Sequence, residues 1–453
     1  MQSELKKKYG LITAIAMVVG IVIGSGVFFK AETVLKATGG NMPMGIAAWA
    51  IVGLIMIICS FSFATLATKY EKVNGIVDYS EMTVGKGYAY YIGWFMAVIY
   101  NPTLTSVLAW VSARYLCVLL GWDITGGNCM TIAAFFLIAS YAMNTLSPIL
   151  AGKFQVTTTV IKLVPLLLMA IVGTIAGLAN GMTLENFSKV ISTDVAGTGG
   201  GLLASVVAVA FAYEGWIIAT SINAELRDAK RNLPIALTLG SLIVVFIYIF
   251  YYIGLAGAVP TETLMESGQN GAKVAFMNIF GNVWGTLIFV FVIISCLGTL
   301  NGLMMGNCRS MYAIAARGQG PLPKVFSQVD KATNMATNSS IFGVLMAGFW
   351  LLYFYGANLT EPWFGPFCFD TSELPIITLY GAYIPVFILF MKKEREMGAF
   401  KRFVMPTLSI LSCLFMVIAA VIAHKMAVVY YLIIFAVIML IAIPFRKTRD
   451  LKA

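Results

Sequence analysis

Long apolar stretches alternate with short charged ones along all 453 residues of the chain. A helix that crosses the hydrocarbon core of a membrane needs about 20 mostly apolar residues. Walking from one charged segment to the next predicts twelve such helices. They lie near residues 9–36, 42–68, 87–118, 129–147, 152–178, 200–223, 233–258, 280–307, 339–356, 373–391, 403–423 and 426–445. The fourth and ninth have the least sharply marked ends. The expected fold class is an all-α polytopic membrane protein whose surroundings are the lipid bilayer.

Composition agrees. Apolar residues make up 60% of the chain and charged residues 11%, and the mean hydropathy is +0.88. The charged share is less than half of the roughly 25% usual in globular domains. A soluble enzyme, a secreted disulfide scaffold and a disordered chain are thereby excluded. The net charge of +10 would suit a nucleic-acid partner, but its placement argues for none. With the first residue inside, the inner segments hold Lys6, Lys7 and Lys8; Lys69, Lys72 and Lys86; Arg227, Lys230 and Arg231; Arg309, Arg317, Lys324 and Lys331; Lys392, Lys393, Arg395, Lys401 and Arg402; and Arg446, Lys447, Arg449 and Lys452. The outer loops hold little beyond Lys189, Lys273 and Lys425. This asymmetry predicts that both termini are cytoplasmic; the plasma membrane is the expected location. Residues 1–8 resemble the start of a signal peptide. The uncharged run from Tyr9 to Phe29 is too long for one, and no clean cleavage site follows, so a retained first helix is expected.

Seven scattered cysteines and the single His424 form no CxxC and no Cys/His cluster, so neither a metal nor another cofactor is expected. Cys117 and Cys129 flank one outer loop; unpaired thiols are expected there rather than a disulfide.

Two helices look interrupted. The first carries Gly24-Ser25-Gly26 with Gly20 one turn before, and the sixth carries Phe211-Ala212-Tyr213-Glu214-Gly215-Trp216. Each has a plain reading: a small-residue packing face in the first, a buried protonated glutamate in the sixth. Their spacing favours breaks. They are five helices apart, and five is odd, so a second five-helix unit enters the membrane upside down. Interrupted helices at matching places of two inverted units mark a transport site at the midplane. The expected organisation is a terminal segment 1–8, one unit at 9–178, a second at 200–392, two added helices at 403–445 and a terminal segment 446–453.

A break exposes N–H groups at the start of the second half and carbonyls at the end of the first. The N–H groups of Ser25, Gly26 and Val27 would hold an anion. The carbonyls from Ile21 to Ile23, beside Gly24, would hold a cation, and so would those of Phe211, Ala212 and Glu214. A zwitterion such as an α-amino acid matches that pair of poles. Lys162 lies nine residues beyond Lys153, about 14 Å deeper and half a turn out of phase. It needs carbonyl or carboxylate partners there, or must give up its proton. Pro165 leaves the carbonyl of Ile161 without its usual donor. Glu214 has three open roles: a titrating group, a selector for amines, or an ion pair with Lys162. Tyr213, Tyr248, Tyr100 and Tyr380 are candidate walls or gates, and Arg114 a snorkelling or loop-pairing residue.

At these positions the chain resembles the amino acid–polyamine–organocation superfamily and, within it, the L-amino-acid transporter family near bacterial serine/threonine and alanine/serine/cysteine exchangers. The similar stretches are GxxIGSGVF at 20–28, TxxxKLxP at 158–165, FAYEGW at 211–216, and LNG at 300–302 followed by 309–320. The resemblance implies the LeuT-type fold, a 5+5 inverted repeat with discontinuous helices 1 and 6. It implies sodium-independent exchange of neutral L-amino acids, with Lys162 where sodium-coupled relatives bind an ion and Tyr248 in the pocket region. Glu214 replaces a glycine of many animal members, and the loop from Asn358 to Glu373 is longer than usual. Animal members pair through a disulfide with a single-span glycoprotein; the bacterial type does not, and no such partner is expected here. The rival readings are a proton-coupled symporter and, from another class, a channel or nutrient receptor on the same scaffold.

Overall fold

The computed structural model of the chain describes residues 6–24, 26–70, 74–189, 199–357 and 361–448. Ser25, Lys72, Asn358, Arg449 and Lys452, all named above, lie outside the described residues, as do the outer ends of the two terminal segments. Among the described residues, twelve helices are long and apolar enough to cross a membrane. Helix 1 is split into two halves, Leu11–Val22 and Gly26–Ala37, named inner and outer after the expected orientation. Then come helix 2 (Met42–Lys69), helix 3 (Lys86–Leu120), helix 4 (Gly127–Leu146) and helix 5 (Pro148–Ala179). Helix 6 is split into Gly199–Ala212 and a 3₁₀ stretch, Trp216–Glu225. Helices 7 (Ala229–Ala258), 8 (Gly271–Ala315), 9 (Thr337–Ala357), 10 (Leu374–Lys393), 11 (Phe400–His424) and 12 (Met426–Phe445) complete the set.

Local chemistry explains the joints. Asn41 caps helix 2, accepting the N–H of Met44 at 3.0 Å, and Pro43 sits where its missing N–H costs nothing. Pro102 cannot donate to the carbonyl of Val98. Helix 3 widens into a π turn at Met96–Tyr100, and the indole of Trp350 in helix 9 takes the freed carbonyl at 2.7 Å. Pro165 is followed by a similar π turn at Met169–Gly173.

Helix 6 is the most enclosed span, with 83% of its apolar stretch buried, against 11% for helix 12. The large apolar side chains that stay exposed, such as Phe135, Ile138, Leu411, Ile418 and Val437, would be costly in water and suit the acyl chains of a bilayer. Helix 1 packs on helices 5, 7 and 8. The outer half of helix 1 lies along the first half of helix 6, and helix 2 lies along helix 7. All seven cysteines, Cys117 and Cys129 included, are free thiols.

Helix 8 departs from the expected span. Gly281, at φ 78°, breaks it near its outer start, and it runs to Ala315 rather than 307. The charge-to-charge walk stops a helix at Arg309, yet this arginine is buried inside it. Its guanidinium is paired with Glu225 through Nε and, at 3.2 Å, through Nη2, and Lys8 lies 2.5 Å from the same carboxylate. The N–H groups of Lys8 and Tyr9 also donate to the Glu225 carbonyl at 2.8 and 3.0 Å. Glu225 therefore ties the segment before helix 1 to helices 6 and 8. Removing one member of a buried ion group leaves an uncompensated charge, at a cost of about 3–5 kcal/mol. Glu225→Ala is expected to lower the melting temperature in detergent far more than Lys189→Ala, an exposed pair-breaking change. Equal melting temperatures would mean that Glu225 does not clamp these segments.

Candidate functional site

The inner half of helix 1 ends at Ile23, whose backbone turns to the extended region (φ −73°, ψ 95°). Three carbonyls of its last turns are claimed from outside. The Lys162 ammonium donates to the carbonyls of Gly20 at 2.5 Å and Ile23 at 2.6 Å. Thr299 Oγ1 of helix 8 lies 3.1 Å from that ammonium and 3.0 Å from both carbonyls. The Tyr248 hydroxyl donates to Val22 O at 2.6 Å and lies 3.1 Å from Ala212 O, so one phenol ties both breaks together. Lys162 is fully buried, whereas Lys153 is exposed, as their half-turn offset requires. Two further groups of helix 5 hold the inner half of helix 1. The Thr159 hydroxyl is 3.1 Å and the Gln155 amide 3.5 Å from the carbonyl of Ala16.

Helix 6 stops at Ala212, and Gly215 carries the chain onward at φ 97°, a conformation that favours glycine. Glu214 sits in this break. One of its carboxylate oxygens accepts the Tyr100 hydroxyl from helix 3. The other, Oε2, is buried with no hydrogen-bond partner among the described residues. An ion pair between Glu214 and Lys162, one of the three roles open from sequence, is absent among the described residues. The lysine has taken carbonyls instead.

The two breaks face one narrow cavity. Ile21, Val22, Gly24 and Gly26 line it from helix 1, and Phe211, Glu214 and Gly215 from helix 6. Leu104 and Leu108 of helix 3 and Thr299 and Leu303 of helix 8 close the far side. Helix 1 and helix 6 touch closely here: a Cβ on Gly26 would lie 2.5 Å from Ala212 Cα. A side chain on Gly24 would run into that of Thr299. In the second half of helix 1, Lys30 stands 5.5 Å from the centre of the Phe211 ring and 2.5 Å from Glu373 Oε1. Burial alone would raise the pKa of Glu373; the Lys30 ammonium, with His424 opposite, brings it down to about 2.

Of the residues expected from sequence, Gly24, Gly26, Phe211 and Glu214 line the cavity directly. Ile23 faces the lysine, and Val27 and Ala212 are buried behind the glycines. Tyr213 packs on Trp49 and Tyr248, with ring centres 5.8 and 5.0 Å away, and Tyr380 packs on Tyr383 at 5.7 Å; neither lines the cavity. Ser25 lies outside the described residues. Sequence reasoning passed over Thr299, which a polar residue directly before the LNG stretch signals. It also passed over Leu104, Leu108 and Leu303, which nothing separates from the many other leucines.

A family model described as amino acid permease matches residues 9–443. The serine/threonine exchanger SteT of Bacillus subtilis is 29% identical over 403 residues, covering 89% of this chain and 87% of that protein. The human b(0,+)-type amino acid transporter 1 is 26% identical over 442 residues, covering 96% and 86%. The human cystine/glutamate transporter is 26% identical over 329 residues, covering 72% and 64%.

Proposed function

Because this chain belongs to the amino acid permease family, a family of membrane transporters rather than enzymes, we propose that it exchanges neutral L-amino acids across the plasma membrane without sodium. The observation that carries this reading is the pairing of the Lys162 ammonium with the carbonyls of Gly20 and Ile23 and the hydroxyl of Thr299. Two carbonyls and a hydroxyl converging at the end of a half-helix are ligands for a small cation, and here a covalently attached one fills the place. A fixed cation cannot be carried along a gradient, which favours exchange.

The α-carboxylate of the substrate would rest on the N–H groups that open the outer half of helix 1, at Gly26 and Val27 with Ser25. Its ammonium would face Glu214 Oε2, which has no hydrogen-bond partner among the described residues, and the carbonyls of the sixth-helix break. Leu104, Leu108 and Leu303 give the cavity an apolar wall, which suits an uncharged side chain. The similarity to a protein named as a serine/threonine exchanger points the same way. Alternating access would rock helices 1, 2, 6 and 7 against helices 3, 4, 8 and 9 between two inverted repeats. Both termini would be cytoplasmic, and no glycoprotein partner would be required.

The test is competition in proteoliposomes preloaded with unlabelled amino acids. Methyl esters and decarboxylated amines are expected to compete poorly, because each lacks the carboxylate. A decarboxylated amine that competes as well as its parent would move the site away from Gly26 and favour an amine carrier.

A further inference from the structure

On the face that carries the segment before helix 1, a cleft of about 350 Å³ opens beside the junction of helices 4 and 5. Three lysines line it: Lys6 and Lys8 from that segment, and Lys331 from the connection between helices 8 and 9. Lys331 is more than 300 positions from Lys6 and Lys8, so the fold adds a distant ammonium to the basic run at 6–8. Among the described residues Lys6 and Lys331 have no carboxylate partner, and Lys8 shares its one partner, Glu225, with Arg309. Asp330 is an anion next to Lys331 in sequence, but among the described residues it makes no ion pair with a lysine of the cleft. Its Oδ1 is occupied within its own loop, accepting the N–H groups of Thr333 at 2.8 Å and Ala332 at 2.9 Å. Those bonds hold its carboxyl below the usual range. Part of the cleft wall is apolar and lies where two of the candidate spans meet, at the end of helix 4 and the start of helix 5. Leu146, the last residue of helix 4, is 72% exposed, and Ile149, in the first turn of helix 5, is 63% exposed.

Three ammonium groups beside exposed aliphatic side chains at the end of two spans fit one molecule with both characters. We propose that this cleft binds an anionic phospholipid, its phosphate among Lys6, Lys8 and Lys331 and its acyl chains along Leu146 and Ile149. Basic clusters at the ends of spans recognise such headgroups. The bound phosphate would give Lys8 a second anion in competition with Glu225. Because Lys8 and Tyr9 are bonded to Glu225 by backbone as well as side chain, occupancy would act on the segment that leads into the inner half of helix 1.

The binding test does not depend on transport. The intact protein is equilibrated with mixed micelles of phosphatidylglycerol and phosphatidylcholine, and the retained lipid is read by native mass spectrometry. Phosphatidylglycerol is expected to be retained in preference to phosphatidylcholine. The Lys6→Ala/Lys331→Ala double variant is expected to lose that retention by about tenfold or more. A control with Lys36→Ala and Lys189→Ala, exposed lysines outside the cleft, is expected to keep it. Equal retention by the first double variant, or no preference for the anionic lipid, overturns the proposal. Displacement of the lipid by soluble glycerol phosphate at equal concentration also overturns it, because the ligand would then be a free anion.

Discussion

Gly26→Val yields a folded, monodisperse protein that binds its amino acid about 10- to 100-fold more weakly than the native chain. The new Cβ would stand 2.5 Å from Ala212 Cα and 2.9 Å from Ala212 Cβ. Backbone cannot swing aside as a side-chain tip can, so the outer half of helix 1 must part from helix 6. Overpacking of this kind costs about 1–3 kcal/mol, and each 1.4 kcal/mol is about tenfold in affinity. The loss is expected to fall on binding because the contact lies between the two breaks proposed to hold the substrate. Gly26→Ala carries the same Cβ without its branches and is expected to fall between the two. Equilibrium binding of a labelled substrate to purified protein measures the effect. Native affinity in Gly26→Val would make the Gly20–Gly24–Gly26 stretch a packing face and nothing more.

Lys162→Ala is expected to slow exchange about 10- to 100-fold while weakening binding much less. The ammonium makes two charge-assisted bonds to the inner half of helix 1, each worth about 1.5–3 kcal/mol. It does not line the cavity, so the contacts proposed for the substrate's own carboxylate and ammonium survive its loss. What is lost is the link by which helix 5 holds a half-helix that moves in the proposed cycle. Binding and turnover measured on the same preparation separate these effects. A collapse of affinity equal to the loss of rate would make Lys162 a substrate ligand. In the native protein, exchange should be the same in sodium, potassium and choline, because the ammonium already occupies the carbonyl cage. A strong sodium requirement beyond ionic strength would remove that assignment. An imposed proton gradient should drive no accumulation. If it does, and Lys162→Ala abolishes it, a proton-coupled symporter replaces the exchanger.

Much of the architecture is legible in the sequence because run length and charge are local properties. Helix 2 was expected at 42–68 and is Met42–Lys69; helix 4 was expected at 129–147 and is Gly127–Leu146. The breaks at Gly24–Gly26 and at Glu214–Gly215 are likewise legible, since glycines and a carboxyl in mid-span disturb a helix wherever its neighbours lie. Arg309 shows the limit. Locally it ends an apolar run, and only Glu225, 84 positions earlier and buried opposite it, lets helix 8 continue. No local rule contains such a partner.

The candidate site divides in the same way. The depth of Lys162 and its need for a partner follow from helix geometry alone. Its choice of the Gly20 and Ile23 carbonyls over Glu214 does not, because the sequence puts Glu214 at a similar depth. The packing of helix 5 against helices 1 and 8 decided it, by bringing Thr299 to 3.1 Å and the carbonyls to 2.5 and 2.6 Å. The same holds for Tyr248, which the family pattern placed near the pocket and the tertiary structure uses as a strut between two carbonyls. Periodicity and composition, then, determined what must be buried and where the backbone gives way. Which buried polar groups satisfy one another depends on separations of a few tenths of an ångström between distant segments, and only the packed helices set those.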